Sequence, residues 1–386
     1  MISGGFMNQE KGRYLWIDGL KGICCLLIFV HHFICAFYLA SVLGEGYTIH
    51  TKYDLLMSRS FISVFVNGNF LVYVFCTISG FVIANSFMKS KNKDLLKTTL
   101  KRYSRLSIPV FIIGLIVWLM SNFNLFFNKD AAAMSGSLVW LGAYYVDKVS
   151  LFNVIISSFL KTPFFSDTYI SNALWMYGNF LVGSLIIYFL CLLFKEEDEK
   201  YNFLVLIPLL SCIVVESFLS SFIVGYLFAY LVNNYEFETI KYKTLISLIL
   251  IIAGLFFGGY SSGGTPASYY KIFNFSSCFF PHFLGALLLI PGIYFSNTIQ
   301  NLLSNKLFLW LGKLSFAIYL VHIPLIYSYS SYFFLRLIGN NRYNWDCLIV
   351  FIGTLCLLLL FSYLFYLLEA KVYKIVSQKI LKEKLK

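Results

Sequence analysis

The sequence predicts an all-α, polytopic integral membrane protein with about ten transmembrane helices. Three observations predict it. Apolar residues make up 59% of the 386 residues and charged residues only 12%, about half the charge of a soluble globular protein. Apolar stretches follow one another almost from end to end, many near the roughly 20 residues that cross a bilayer. The Lys and Arg gather on alternate connections, and such residues favour cytoplasmic loops. The net charge of +12 therefore reads as topology, with no nucleic-acid partner. No stretch is long and polar enough for a separate soluble enzyme. Residues 1–386 read as a single membrane domain, with 1–14 a cytoplasmic arm and 371–386 a cytoplasmic, Lys-rich tail.

The first span, 15–40, reads LWIDGLKGICCLLIFVHHFICAFYLA and is too long for a signal-peptide core. It carries Asp18, Lys21, His31 and His32. Ionisable groups at membrane depth are costly and face a bundle interior or a wet cavity. Lys21 and His32 are eleven residues apart, which brings them to one helix face, roughly 20° apart in angle and roughly 16 Å apart in height. Asp18 and Lys21 are spaced to pair on the helix surface.

The remaining spans are expected at 61–88, 105–127, 174–194, 203–217, 222–232, 244–259, 279–295, 308–329 and 346–368. Several are shorter than about 20 residues, and the fifth and sixth are open to reading as one kinked element. The loop after span two, KSKNKDLLKTTLKRYSR, is the strongest basic cluster. It reads as an inner-side anchor for anionic lipid or as a cradle for a phosphate-bearing substrate. The longest outer connection, 128–173, is rich in aromatics, and its uncharged run 149–159 is expected to lie in the membrane interface. Trp140, Tyr144 and Trp175 read as interfacial belt residues or as stacking partners for an acceptor sugar. Span nine holds His322 close to Pro324, a packing histidine beside a kink or a second polar group lining a cavity. The nine cysteines show no metal-ligand spacing, so no metal is expected. Cys278 and Cys347 fall near predicted outer ends, where a disulfide is an open alternative.

Several local patterns together resemble the acyltransferase-3 family of integral membrane acyltransferases. YLWIDGLKGICCLLIFVHHF resembles its D-G-L-R-G…H opening, with Lys21 and His32 meeting the Arg/Lys-x10-His spacing. FCTISGFVIA at 75–84, KRYSRLSIP at 101–109 and LGKLSFAIYLVHIPL at 311–325 resemble its S-G-F, R-x-x-R-L-x-x-P and L-G-x-x-S-Y-x-x-Y-L-x-H-x-P segments, in order. Glu369 sits where the family often closes its last span with an acid. Two departures stand out. Lys21 replaces the commoner Arg and lacks its bidentate fork. Phe180 occupies the position where the family's W-T/S-x-x-x-E segment has Glu, which bears on any activity that carboxylate carries.

The resemblance implies acyl transfer, mostly of acetyl, from acyl-CoA to a hydroxyl of a glycan or lipid-linked acceptor. Acyl transfer needs a base for the hydroxyl proton, and imidazole titrates near operating pH. His32 is the candidate catalytic base. Asp18, His31, Ser79 and His322 are candidates for supporting or cavity-lining roles. Lys21, Arg102 and Arg105 are the candidate cations for acyl-CoA phosphates and fall on the predicted cytoplasmic side. The plasma or internal membrane is left open. The rival reading is a transporter or export component for a glycan or lipid intermediate, or a non-catalytic family member.

Overall fold

The computed structural model describes residues 9–10, 13–90, 94–145, 147–194, 217–237, 240–339 and 342–379. Apart from a two-residue antiparallel pairing of Gln9–Glu10 with Arg13–Tyr14, the regular structure of the described residues is helical. The long helices are α1 Leu15–Phe37, α2 Gly68–Met88, α3 Leu95–Asn122, α4 Tyr177–Leu193, α5 Leu219–Asn234, α6 Lys243–Gly258, α7 Phe279–Tyr294, α8 Lys306–Leu325 and α9 Tyr343–Lys379. Their starts are set by capping. Side-chain oxygens of Asn67, Asp94 and Asn305 accept from the backbone amides of Phe70, Lys97 and Phe308, pairing donors that a helix start leaves open.

Among the described residues, six helices can cross a membrane by length and composition: α1, α2, α3, Asn172–Leu193 around α4, Lys306–Leu337 around α8 and Tyr343–Val376 in α9. A seventh follows if α7 and Asn297–Leu303, bent by 96°, form one span. The expected count of about ten is not confirmed among the described residues. The sixth and seventh expected spans are the 16-residue α5 and α6, about 24 Å long against a hydrocarbon core of roughly 30 Å. The expected span 203–217 lies outside the described residues, except for Ser217.

Helix directions follow from residue contacts. α1 and α2 are antiparallel, since Tyr14 meets Phe81 and His31 meets Gly68. α3 and α9 are antiparallel, with Arg105 over Tyr373 and Ile113 sharing a groove with Phe365. α1 and α8 are parallel: Gly22 touches Gly312 and His32 touches His322. α4 and α5 are also parallel, because Phe180 meets Phe222 while the Tyr226 hydroxyl reaches the Leu190 carbonyl. α9 is peripheral, exposing Leu348, Ile352, Leu360 and Leu364. Large apolar side chains face outward there because lipid is the solvent.

One feature departs from the expected reading, and one open alternative closes. The run 149–159 does not lie flat in the interface. It packs down the side of α3: the Val149 amide donates to Ser121, Val154 faces Gly114 and Phe159 meets Phe111. Cys278 and Cys347 are both free thiols. Beyond Pro324, α8 continues through a π-helical turn, Ile326–Ser330. Proline cannot donate to its helix, and the Ser328 hydroxyl bonds the Pro324 carbonyl at 2.6 Å, as small hydroxyls do where a membrane helix is disturbed.

Candidate active site

α1 supplies one wall of the site. Its first turns hold Asp18 and Lys21, paired at 3.9 Å. Lys21, Cys25 and Ile28, on successive turns, line a cavity of about 280 Å³. Arg102 and Arg105 of α3, Glu369 of α9 and Ser79 of α2 line the same cavity, and Phe75, Met176, Phe180 and Phe316 give it an apolar wall. The three cations singled out in the sequence thus share one space, although Lys21 and the arginines are about eighty residues apart in the chain. Arg102 Nε donates to Ser184 Oγ at 2.9 Å, and that hydroxyl donates to the Phe180 carbonyl at 2.5 Å. The Arg105 guanidinium lies over Tyr373, 5.2 Å from the ring centroid. Among the described residues neither arginine makes an ion pair with a carboxylate.

His32 stands one turn beyond Ile28 on α1. Its Nδ1 is 2.7 Å from Nε2 of His322. The two rings are within 3° of parallel with centroids 5.0 Å apart. Nitrogens this close, with centroids this far apart, place the rings edge to edge in nearly one plane. Trp140 stacks on His32 at 5.4 Å and 27°. His322 is fully buried, and its Nδ1 is 3.0 Å from the Ile318 carbonyl. Tyr319, on the same helix, meets the His322 ring at 6.0 Å and also lines the cavity. It therefore connects the cationic space with the histidine pair.

Glycines explain how α1 and α8 come so close. A Cβ on Gly22 would fall 2.5 Å from Gly312 N, one on Gly312 would run into the Asp18 carbonyl, and one on Gly19 would run into the carbonyl of Leu303, just before α8. No side chain fits at those points, so backbones touch. Small residues permit this packing between membrane helices. The D-G-L-K-G and L-G-K-L-S segments are the two halves of this contact.

A family model described as an acyltransferase domain matches residues 14–367. The chain belongs to the acyltransferase-3 family. No curated protein and no solved structure matches it. The match covers nearly the whole acyltransferase-3 chain, including every residue of the cavity wall named above except Glu369.

The other candidates of this acyltransferase-3 protein are dispersed. His31 turns away from His32's partner: its Nδ1 is 2.7 Å from the Val66 carbonyl and its Nε2 is 3.6 Å from Cys35 Sγ. Tyr144 lies 6.4 Å from Tyr327, which also meets Trp140 edge-on. Trp175 packs on Phe218 at 5.3 Å. Phe180 sits among Phe75, Tyr177 and Phe222. Among the described residues no group of three His, Cys, Asp or Glu is placed to hold a metal. Sequence reasoning missed Tyr319, although its spacing of three from His322 puts both on neighbouring positions of one helix face. It also did not foresee that Trp140 would stack on His32.

Proposed function

We propose that this chain is a membrane O-acyltransferase that moves an acyl group, acetyl in the first instance, from cytoplasmic acyl-CoA to a hydroxyl of an extracytoplasmic glycan or lipid-linked sugar. One observation carries the reading: Lys21, Arg102 and Arg105 line a single cavity whose wall on α1 ends at Ile28, one turn short of His32. A cluster of cations at the membrane surface suits the phosphates of CoA. The apolar wall formed by Phe75, Phe180 and Phe316 suits an acyl chain. His32 acts as general base on the acceptor hydroxyl, and the acyl group crosses the membrane as part of the reaction.

The proposed topology has ten spans with both termini cytoplasmic. The starts of α1 and α3 and the end of α9 meet at the cationic cavity, so they share one side. α4 and α5 run parallel, which fits that count. Sidedness and donor binding are tested together. Sealed vesicles with the protein in one orientation should bind radiolabelled acetyl-CoA from the side that exposes the Lys-rich C-terminal tail. Lys21→Ala, Arg102→Ala and Arg105→Ala should each weaken that binding. Binding from the opposite side, or binding indifferent to all three substitutions, would remove the donor from this cavity.

A further inference from the structure

We propose that His322 is a positioning residue that fixes His32 in one tautomer, with the proton on Nδ1 and the reactive lone pair on Nε2. This rests on the reading of His32 as the base. The argument runs from the far end of the chain of contacts. A carbonyl oxygen only accepts hydrogen bonds, so the 3.0 Å contact of His322 Nδ1 with the Ile318 carbonyl puts a proton on that nitrogen. A neutral imidazole carries one N–H, so His322 Nε2 is an acceptor. His32 Nδ1 lies 2.7 Å away in nearly the same plane. Two lone pairs facing each other at that distance would repel, so His32 Nδ1 is the donor. Neutral His32 is then left with its lone pair on Nε2, the nitrogen directed away from His322.

The alternative imidazole is already committed. His31 Nδ1 is 2.7 Å from the Val66 carbonyl, a shorter contact than the 3.3 Å approach of the Gly68 amide to the same nitrogen, so that nitrogen donates to the carbonyl, and its Nε2 faces Cys35 Sγ at 3.6 Å. Trp140 covers a face of His32, which leaves the Nε2 edge as the approach for a hydroxyl.

The step balances without another reactant. The acceptor oxygen forms a bond to the thioester carbonyl carbon as its proton passes to His32 Nε2. The resulting imidazolium keeps its Nδ1–H bond to His322. Collapse of the tetrahedral intermediate breaks the C–S bond, and the Nε2 proton passes to the departing CoA sulfur. His32 returns to its starting tautomer. Holding the base in the correct tautomer is the role that a buried partner serves in hydrolytic triads, where its loss is severe.

Two measurements on the full-length protein in lipid test the assignment. The first is the 15N spectrum of histidine-labelled protein, with the His32 signals assigned by their loss in His32→Ala. The expected result is a protonated Nδ1 and a bare Nε2 on His32, becoming a tautomer mixture in His322→Leu. A parent His32 protonated on Nε2 overturns the assignment. The second is CoA release from acetyl-CoA with His322→Leu and His322→Gln, whose amide oxygen offers an acceptor in place of Nε2. His322→Leu should lower kcat about 100-fold with little change in KM for acetyl-CoA, and His322→Gln should recover about tenfold of that loss. Equal loss in both variants, or a folded His322→Leu with unchanged kcat, overturns it. A parent that releases no CoA would defeat the enzyme reading, and the 15N spectrum would still decide the tautomer.

Discussion

Gly22 of α1 and Gly312 of α8 touch backbone to backbone: a Cβ on Gly22 would lie 2.5 Å from the Gly312 amide nitrogen. The two helices are parallel, and ten residues further along each of them His32 meets His322. The glycine contact therefore sets the separation at which the histidine bond forms. Gly22→Ala should force the helices apart at an overpacking cost of about 1–3 kcal/mol. The expected outcome is a lower melting temperature in detergent together with a loss of turnover larger than the remaining folded fraction explains. Turnover that merely tracks the folded fraction would separate the glycine contact from the histidine geometry.

The cations make a prediction in KM. Removing one hydrogen-bonding partner of a charged group typically costs about 1.5–3 kcal/mol, which is roughly tenfold or more in binding. Arg102→Ala should raise KM for acetyl-CoA by about that factor and change kcat less. Ser184→Ala removes the hydroxyl that holds Arg102 Nε at 2.9 Å and should raise KM by a smaller amount. Steady-state CoA release over a range of acetyl-CoA concentrations reads both. Raising the salt concentration should also weaken donor binding, and less so in Arg102→Ala.

The membrane class and the longest spans were legible in the sequence because lipid demands long apolar helices, and α1, α2 and α9 state that demand openly. α5 and α6 were harder. Each has only 16 residues, and a helix that is apolar all round offers little periodicity to set its ends. The common face of Lys21 and His32 followed from helical spacing alone. The approach of Arg102 to Lys21 did not: it depends on how α3 packs, and only the family resemblance grouped those residues beforehand. The bond between His32 and His322 spans 290 residues and had no local signal. The run 149–159 misled for a related reason. Its uncharged, aromatic composition suits an interface, and nothing in it announces that Val154 will pack on Gly114.

Phe180 forms part of the apolar cavity wall with Phe75. Phe180→Ala should widen that wall and shift the donor preference toward longer chains. A butyryl group has two more methylenes than acetyl, each worth about 0.8 kcal/mol when buried. The ratio of kcat/KM for butyryl-CoA to that for acetyl-CoA should therefore rise about tenfold. An unchanged ratio would place the acyl chain elsewhere.

Trp140 stacks on His32, and the charge that develops on His32 during proton transfer makes that contact a cation–π interaction. Such contacts contribute about 0.5–2 kcal/mol. Trp140→Ala should lower kcat by about 2- to 30-fold, and Trp140→Phe by less. A change confined to the KM of the acceptor would make Trp140 a sugar-stacking residue instead.

The most direct test is CoA release from acetyl-CoA by the purified protein in lipid, with a panel of glycan and lipid-linked sugar acceptors, for the parent and for His32→Ala. The account predicts acceptor-dependent release in the parent and its loss by about 100-fold or more in His32→Ala, with acetyl-CoA still bound. Acceptor-dependent release that survives in His32→Ala would contradict the account.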